Sequence, residues 1–379
     1  MIAQIQSLSG LIREVTPAYA ENIRHTLSKE FCRSIRRIYL TGCGDSHHAS
    51  IGAELAFENL AGITTEALTS MQFARYASDT LRDAEHCLVT GASVSGEVSR
   101  TVEGLLLARK AGANVLALTA SPASRIARAA DLVVDTTQPK FTDPPGMIIP
   151  GVRSYVANLV GFLLLSIHFG EQREQLSVEE ALGLRSEVAG LADAVDFTIE
   201  QNQAVAQRLA QDWADADEFV FCGSGPNFAS ALFSAAKILE ATGDSALGQD
   251  MEEWAHLQYF AKMVNTPTFI ISAAERDATR ACEIVTAARA IGRRVAAVAP
   301  VKNGRSFSDA QAHFLLPEDV RELFSPVISA IPACLFAAYL AEFRQEPYFR
   351  GFGGGRSQEG GGGISRIRTS ETLGLEYLK

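Results

Sequence analysis

Three serines and a glycine stand close together in the stretch Val89-Thr-Gly-Ala-Ser-Val-Ser-Gly-Glu-Val-Ser-Arg-Thr101, namely Ser93, Ser95, Gly96 and Ser99. The residues before them read as the end of a strand and those after them as the start of a helix, so the hydroxyls fall at the mouth of a sheet. Serine donates hydrogen bonds without bulk, glycine lets backbone N–H groups approach an anion, and a helix start adds its positive end. That is the chemistry of a phosphate cradle. A helix cap would need one hydroxyl, not three and a glycine. A second loop, Gly42-Cys-Gly-Asp-Ser46, follows an earlier strand, and Gly44, Asp45 and Ser46 are expected to form the opposite wall. A dinucleotide site is disfavoured, because Gly42-Cys-Gly44-Asp-Ser-His47 lacks the third glycine of G-x-G-x-x-G, and no G-x-x-x-x-G-K-[ST] is present. No cofactor is expected. His47 and His48 read as wall or packing residues, and no metal set is completed around them.

The elements that must position these loops alternate. Residues 1–30 carry Ile2, Ile5, Leu8, Leu11 and Ile12 at helical spacing. Strands are expected at 38–41, 87–93, 114–119 and 131–135, with helices over 46–60, 97–111 and 123–130. Continuous apolar strands alternating with helices predict a parallel sheet covered on both faces. Long helices over 151–169, 176–194 and 196–212 follow, and then the pattern repeats. Ile38-Tyr-Leu-Thr-Gly-Cys-Gly44 aligns with Phe219-Val-Phe-Cys-Gly-Ser-Gly225 at an offset of 181, which Gly62 and Gly243 keep. Gly112 and Gly292, each ending an Ala-Arg-x-x-Gly run, hold an offset of 180. The chain is therefore a duplicated α/β unit. The copies differ at the serine loop, whose counterpart Ser272-Ala-Ala-Glu-Arg276 has lost the second serine and the glycine.

Composition narrows the partners. The chain has 379 residues, 47% of them hydrophobic, and a net charge of −10. An acidic chain is a poor match for nucleic acid. Six cysteines without a C-x-x-C pair read as reduced thiols. The N-terminus shows no secretory signal, and the apolar run Val156–Ile167 is too short to span a bilayer. A cytoplasmic location without membrane contact is expected. The glycine-dense stretch 351–363 predicts a mobile segment, either a frayed tail or a flexible arm that closes over a site.

The order Gly-Cys-Gly-Asp-Ser, then Ser-Val-Ser-Gly-Glu, in a duplicated α/β unit resembles the sugar isomerase (SIS) domain. Residues 35–379 resemble the double-SIS proteins, which include the isomerase half of glucosamine-6-phosphate synthase, SIS-type glucosamine-6-phosphate deaminases and fructosamine-6-phosphate deglycases. The resemblance implies two tandem SIS domains, each a flavodoxin-like three-layer sandwich. It divides the chain into an N-terminal helix (1–30), a first domain (31–175), connecting helices (176–212), a second domain (213–345) and a tail closing over the site (346–379). It places Cys43, Gly44, Ser46, Ser93 and Ser95 on phosphosugar-binding positions. Lys237-Ile-Leu-Glu240 resembles the family's Lys-x-x-Glu, whose glutamate moves a proton between C1 and C2. Glu253-Trp-Ala-His256, sixteen residues later, resembles the Glu-x-x-His whose histidine opens the sugar ring from the partner subunit. A homodimer is thereby implied. Ile364-Ser-Arg366 resembles the tail Leu-Ala/Ser-Lys, with Arg366 keeping the charge but not the amine. Two departures stand out, Val98 where relatives often have threonine, and Leu257-Gln258 in place of Gly-Pro.

The residues themselves suit that chemistry. A base visiting C1 and C2 is well served by a carboxylate in a partly dry pocket with its pKa raised, and ring opening by a histidine near neutrality. Glu240 ends the apolar run Ala229–Leu239, and Lys237 lies one turn before it on the same helix face. The expected substrate is an amino-sugar or fructosamine 6-phosphate, the reaction being deglycation, deamination or aldose–ketose isomerisation. Glutamine hydrolysis is not expected, since Met1-Ile2 opens directly on a short helix. A non-catalytic sugar-phosphate sensor on the same fold is the alternative.

Overall fold

Among the described residues ten strands form two all-parallel sheets. The computed structural model describes residues 1–302, 307–354, 356 and 367–377. In the first sheet β1 (Arg37–Gly42), β2 (Thr64–Thr69), β3 (Cys87–Ala92), β4 (Asn114–Thr119) and β5 (Leu132–Asp135) lie in the order β2-β1-β3-β4-β5. In the second, β6 (Glu218–Gly223), β7 (Ser245–Gln249), β8 (Pro267–Ile271), β9 (Arg294–Pro300) and β10 (Ala312–Leu316) lie in the order β7-β6-β8-β9-β10, read in the same direction. The duplication thus extends to topology. It extends to the backbone too: Gly44 and Gly225 both have φ 55°, with ψ −129° and −133°, a conformation open to glycine and strained for other residues. A Cβ on Gly42 would come 2.9 Å from the Ser46 backbone, and one on Gly223 2.3 Å from the Asn227 carbonyl, so each strand passes tightly into its helix.

The strands are apolar on both faces because both faces are covered. Tyr39, Val89, Val115 and Ala117 pack with Val102 and Leu105 of the helix Ser99–Lys110, while their neighbours Leu40, Leu88, Leu116 and Leu118 are buried on the reverse. In the second sheet Val220, Cys222, Ile270 and Val295 meet Ile284 and Val285 of the helix Ala278–Ala290. Its other face is aromatic, with Phe221 and Phe269 stacked at 4.7 Å and Phe336 at 5.1 Å from Phe269.

Backbone contacts divide the chain into two units that are not consecutive segments. One comprises Gly10–Lys140, Ser154–Ala189 and Phe352–Lys379, and holds the first sheet; the other comprises Met1–Ser9, Phe141–Arg153 and Gly190–Gly351, and holds the second. The helices expected over 176–194 and 196–212 are a single helix, Val178–Asp212, with no proline anywhere within it to end it. The single N-terminal helix expected over 1–30 is instead Ile2–Gln6, Leu8–Thr26 and Lys29–Ser34. Ser7 donates to the Gln4 carbonyl at 2.8 Å at the first break, and Ser28 caps the third helix at the Phe31 N–H. Among the described residues two stretches are long and apolar enough to cross a membrane, Arg153–Gln172 and Pro326–Arg344, and 89% of each apolar window is buried in the fold. The first is longer than the apolar run 156–167 suggested.

Candidate functional site

In the first unit the strand order reverses between β1 and β3, and that is where an open parallel sheet leaves a crevice at its carboxyl end. β1 delivers Cys43, Gly44, Asp45 and Ser46 to this point and β3 delivers Ser93, Ser95, Gly96 and Ser99. The two strands are direct neighbours, Thr41 lying opposite Gly91. Cys43 is exposed, and Gly44 leads into the helix Asp45–Ala56. Asp45 lies in its first turn, with the His48 ring 3.9 Å away. Ser46 is buried, and its Oγ accepts from Asn158 Nδ2 at 3.3 Å. Burial holds the neighbouring His47 imidazole down at about 4, so that it is neutral at pH 7.

The serine loop is folded by its own hydroxyls. Ser93 Oγ accepts from the Gly96 N–H at 3.1 Å, and Ser95 Oγ from the Glu97 N–H at 3.3 Å. Each hydroxyl keeps its proton to donate. Gly96 has φ 67° and packs against Ser124. The helix begins at Ser99 rather than near 97, and Val98, the residue before it, offers no side-chain cap. Glu97 turns away to accept from the Arg125 N–H at 3.1 Å. Ser99 is committed elsewhere: its hydroxyl donates to the Ser370 carbonyl. Arg125 Nη1 stands 3.4 Å from Ser99 Oγ, and Arg100 and Lys110 donate to the carbonyls of Thr372 and Leu375. The tail residues 369–375 are thus held along the helix Ser99–Lys110. Arg366 and most of the glycine-dense run lie outside the described residues.

Three hydroxyl residues not singled out as site residues underlie the site. Ser70 and Thr101 share a hydrogen bond at 2.9 Å, Thr41 Oγ1 lies 3.5 Å from Ser70, and Cys43 Sγ 3.9 Å from Thr101. This hydroxyl chain assembles only when β1, the end of β2 and the helix after β3 come together. Thr101 was in view at the end of the serine stretch, but nothing in the sequence pointed to Ser70.

In the second unit Lys237 and Glu240 are brought together on the helix Pro226–Ala241. Lys237 is wholly buried; its ammonium donates to Glu240 Oε2 and, at 3.3 Å, to the Gly151 carbonyl, and lies 4.6 Å from the Phe233 ring centroid. Glu240 is about one-quarter exposed (24%), so the carboxylate that meets the buried Lys237 ammonium is also reached by solvent. His256 ends the short helix Met251–His256 with its ring 69% exposed, and its Nε2 is 3.2 Å from Glu252 Oε1. No hydrogen bond among the described residues joins it to Glu240.

The second crevice is built differently. Ser224, the counterpart of Cys43, donates its hydroxyl to Asp250 at 2.5 Å, and Ser272, the counterpart of Ser93, donates to Asp277 at 2.7 Å, so the hydroxyls of the second crevice are given to internal carboxylates. Such a crevice repels phosphate. Burial pushes the Asp277 carboxyl from 3.8 up to about 6, with the charges of Glu322 and Asp250 adding to it. Between those two values the folded chain binds more protons than the unfolded one, so stability falls as pH rises through that window. Asp277→Asn should therefore gain stability over wild type at pH 8 relative to pH 4, on the order of 1–2 kcal/mol. Denaturant melts at both values read this directly, and an equal difference at the two would refute it.

Residues 32–167 match the SIS domain model. With the second sheet repeating the first strand for strand, the chain has the fold of two tandem SIS domains. It is 27% identical over 350 residues to the glutamine–fructose-6-phosphate aminotransferase (isomerizing) of Gloeobacter violaceus, covering 91% of this chain and 56% of that protein. The aminotransferase of the same name from Symbiobacterium thermophilum is 29% identical over 318 residues, with 84% and 51% covered. The chain thus spans about half the length of these relatives. Among solved structures, the C-terminal domain of glucosamine-fructose-6-phosphate aminotransferase from Francisella tularensis superimposes with a TM-score of 0.78 at 18% identity, covering 91% of this chain and 96% of that one. Glucosamine-6-phosphate deaminase from Thermotoga maritima does so with 0.67 at 18% identity, covering 90% and 94%. At that identity the two structures establish the shared fold.

Proposed function

We propose that this double-SIS protein is an enzyme of phosphosugar metabolism that moves a proton between C1 and C2 of an amino-sugar or fructosamine 6-phosphate. The observation that supports it is the pairing of the Ser93–Gly96 loop with the Gly44 turn at the switch point of the first sheet, where the second copy has carboxylates instead. Ser93, Ser95 and Ser46 would donate to the phosphate, with Gly44, Gly96 and the uncapped start of the helix Ser99–Lys110 supplying N–H groups. Cys43, Asp45 and Ser99 line the same mouth, and Arg366 is proposed to bring a positive charge from the tail.

Glu240 is proposed as the base, held in place by Lys237. On a 1-amino-ketose it would take a proton from C1 and deliver it to C2, leaving a C1 imine that water cleaves to an aldose phosphate and free amine. On a 2-amino-aldose the same group working from C2 to C1 leaves a C2 imine, and water releases ammonia. On an unsubstituted sugar the transfer is aldose–ketose isomerisation. Glutamine takes no part in this scheme. His256 is proposed to open the sugar ring in the site of a second copy. Its exposed ring, followed by the exposed apolar side chains Leu257, Tyr259, Phe260, Met263 and Val264, supports a homodimer closing over this segment. A cytoplasmic enzyme needing no cofactor, nucleic acid or membrane completes the proposal; none of the six cysteines forms a disulfide.

The test is a thermal-shift screen of hexose, hexosamine and fructosamine 6-phosphates, followed by NMR detection of solvent deuterium entering C1 or C2 of whichever compound stabilises the protein. A true ligand at 100 times its dissociation constant raises stability by about 2.7 kcal/mol. Stabilisation with deuterium incorporation is expected. Stabilisation without incorporation would replace the enzyme by a sugar-phosphate sensor, and no stabilisation by any of them would remove the phosphosugar reading.

A further inference from the structure

The serine loop of the first unit carries a cation that it does not neutralise. Arg125 is locked to that loop through the backbone. Its own N–H donates to Glu97 Oε1 at 3.1 Å, the Ile126 N–H to the Gly96 carbonyl at 2.9 Å, and Ser121 Oγ to the Val94 carbonyl at 3.2 Å. The half-buried side chain therefore keeps its place beside the start of the helix Ser99–Lys110. Only its Nη1 is engaged, 3.4 Å from Ser99 Oγ and 3.5 Å from the Thr369 carbonyl, both at the long end of hydrogen bonding. Nε and Nη2 have no partner among the described residues, and no carboxylate there forms an ion pair with Arg125. Glu97 binds its backbone and not its guanidinium.

That placement is unfavourable without an anion. A helix start carries partial positive charge, and cations are disfavoured beside it. The first turn of this helix holds no acidic residue, and Val98 before it supplies no side-chain cap. Arg100, at the same end, pairs with the buried carboxylate of Glu103, which Arg75 shares. Arg125 meets two neutral oxygens instead, the Ser99 hydroxyl and a tail carbonyl. The carbonyls of Thr369 and Ser370 thus lie on Arg125 Nη1 and the Ser99 hydroxyl, donors that would hold the oxygens of an anion more strongly.

We propose that Arg125 is a phosphate-binding residue of the first crevice and selects a dianionic phosphate monoester over singly charged esters. The inference rests on the phosphosugar reading of that crevice. Serine hydroxyls and N–H groups recognise oxygen atoms, whereas a guanidinium adds a full charge and a planar pair of donors. A phosphate monoester carries about −1.5 to −2 at neutral pH, so it gains more from that charge than a sulfate ester of the same shape. The phosphate would take Arg125 Nη1 from the Thr369 carbonyl and bring in a second guanidinium nitrogen. Arg100 and Lys110 would still hold the tail at Thr372 and Leu375.

The experiment measures binding of glucosamine 6-phosphate and glucosamine 6-sulfate by calorimetry to wild type, Arg125→Met and Arg125→Lys. The two ligands share their shape and differ in charge. Wild type is expected to bind the phosphate more tightly than the sulfate. Arg125→Met should weaken phosphate binding by roughly 10- to 100-fold and sulfate binding by less, so that the preference disappears. Arg125→Lys should restore the preference with weaker binding, since it keeps the charge without the fork. Without ligand Arg125→Met should melt as wild type does, because its side chain makes only long contacts. Phosphate binding that Arg125→Met leaves unchanged, or a loss equal for both ligands, would overturn the inference and leave the phosphosugar reading standing. No phosphate binding by wild type would overturn both. If Arg125→Met does not fold, Arg125→Gln decides by the same comparison.

Discussion

Glu240→Gln is expected to slow C1–C2 proton transfer by roughly 10³-fold, within the range that a positioned general base contributes. Glutamine has nearly the same shape, and its amide oxygen can still accept from the buried Lys237 ammonium, so the helix Pro226–Ala241 should stay intact. What is lost is the carboxylate proposed to take the proton. The Lys237 ammonium keeps the Gly151 carbonyl and the Phe233 ring. Because Glu240 is partly open to water, the destabilisation should fall below the ~3–5 kcal/mol of a fully buried broken pair. Assays well below the melting temperature separate the two effects. Deuterium incorporation into substrate is the readout, with ligand-induced thermal shift as the control that the phosphate site survives. Exchange at the wild-type rate in Glu240→Gln would remove this residue from the chemistry and return the role of base to an unidentified group.

The parts of the fold legible in the sequence were those that depend on local pattern. Apolar runs placed β4 at 114–119 and β1 within a residue at each end, and the Gly-x-Gly spacing revealed the duplication before any strand order was known. The copies then proved to share a rare glycine conformation at Gly44 and Gly225. What stayed hidden depended on distant chain segments meeting. Ser70 has no motif around it and reaches the site only because β2 ends beside β1. The tail could be read as flexible from its glycines, but not that Ser99 would give its hydroxyl to Ser370. Conversely, Lys237 and Glu240 were within reach of sequence because a one-turn spacing fixes a shared helix face. The loss of the serine loop in the second copy was legible as missing residues. Its physical meaning was not, since only the structure shows Asp250 and Asp277 taking the hydroxyls that remain.

The same contrast singles out Gly96 as the position where the first copy is least tolerant. At φ 67° an alanine sits in the left-handed region, at a cost of about 1–2 kcal/mol. Its Cβ would also fall 1.8 Å from Ser124 Oγ and 2.3 Å from Ser124 Cβ, so either the loop or the following segment must move. Overpacking of this kind adds roughly 1–3 kcal/mol. Gly96→Ala is therefore expected to destabilise the protein by about 3 kcal/mol in total and to abolish phosphosugar-induced stabilisation, because Ser93 Oγ can no longer meet the Gly96 N–H. The two causes can be separated. Ser124 precedes the helix Arg125–Ala129, caps nothing with its side chain, and has a buried Oγ without a partner, so Ser124→Gly alone should cost only a few tenths of a kcal/mol. Combined with Gly96→Ala it removes the collision but not the backbone strain, and the double variant should recover all but about 1–2 kcal/mol. Denaturant melts of the four proteins form the cycle that measures this coupling. Strict additivity would show that Ser124 does not confine the loop, whereas recovery of stability together with ligand response would establish that the Gly96–Ser124 contact sets the shape of the anion-binding turn.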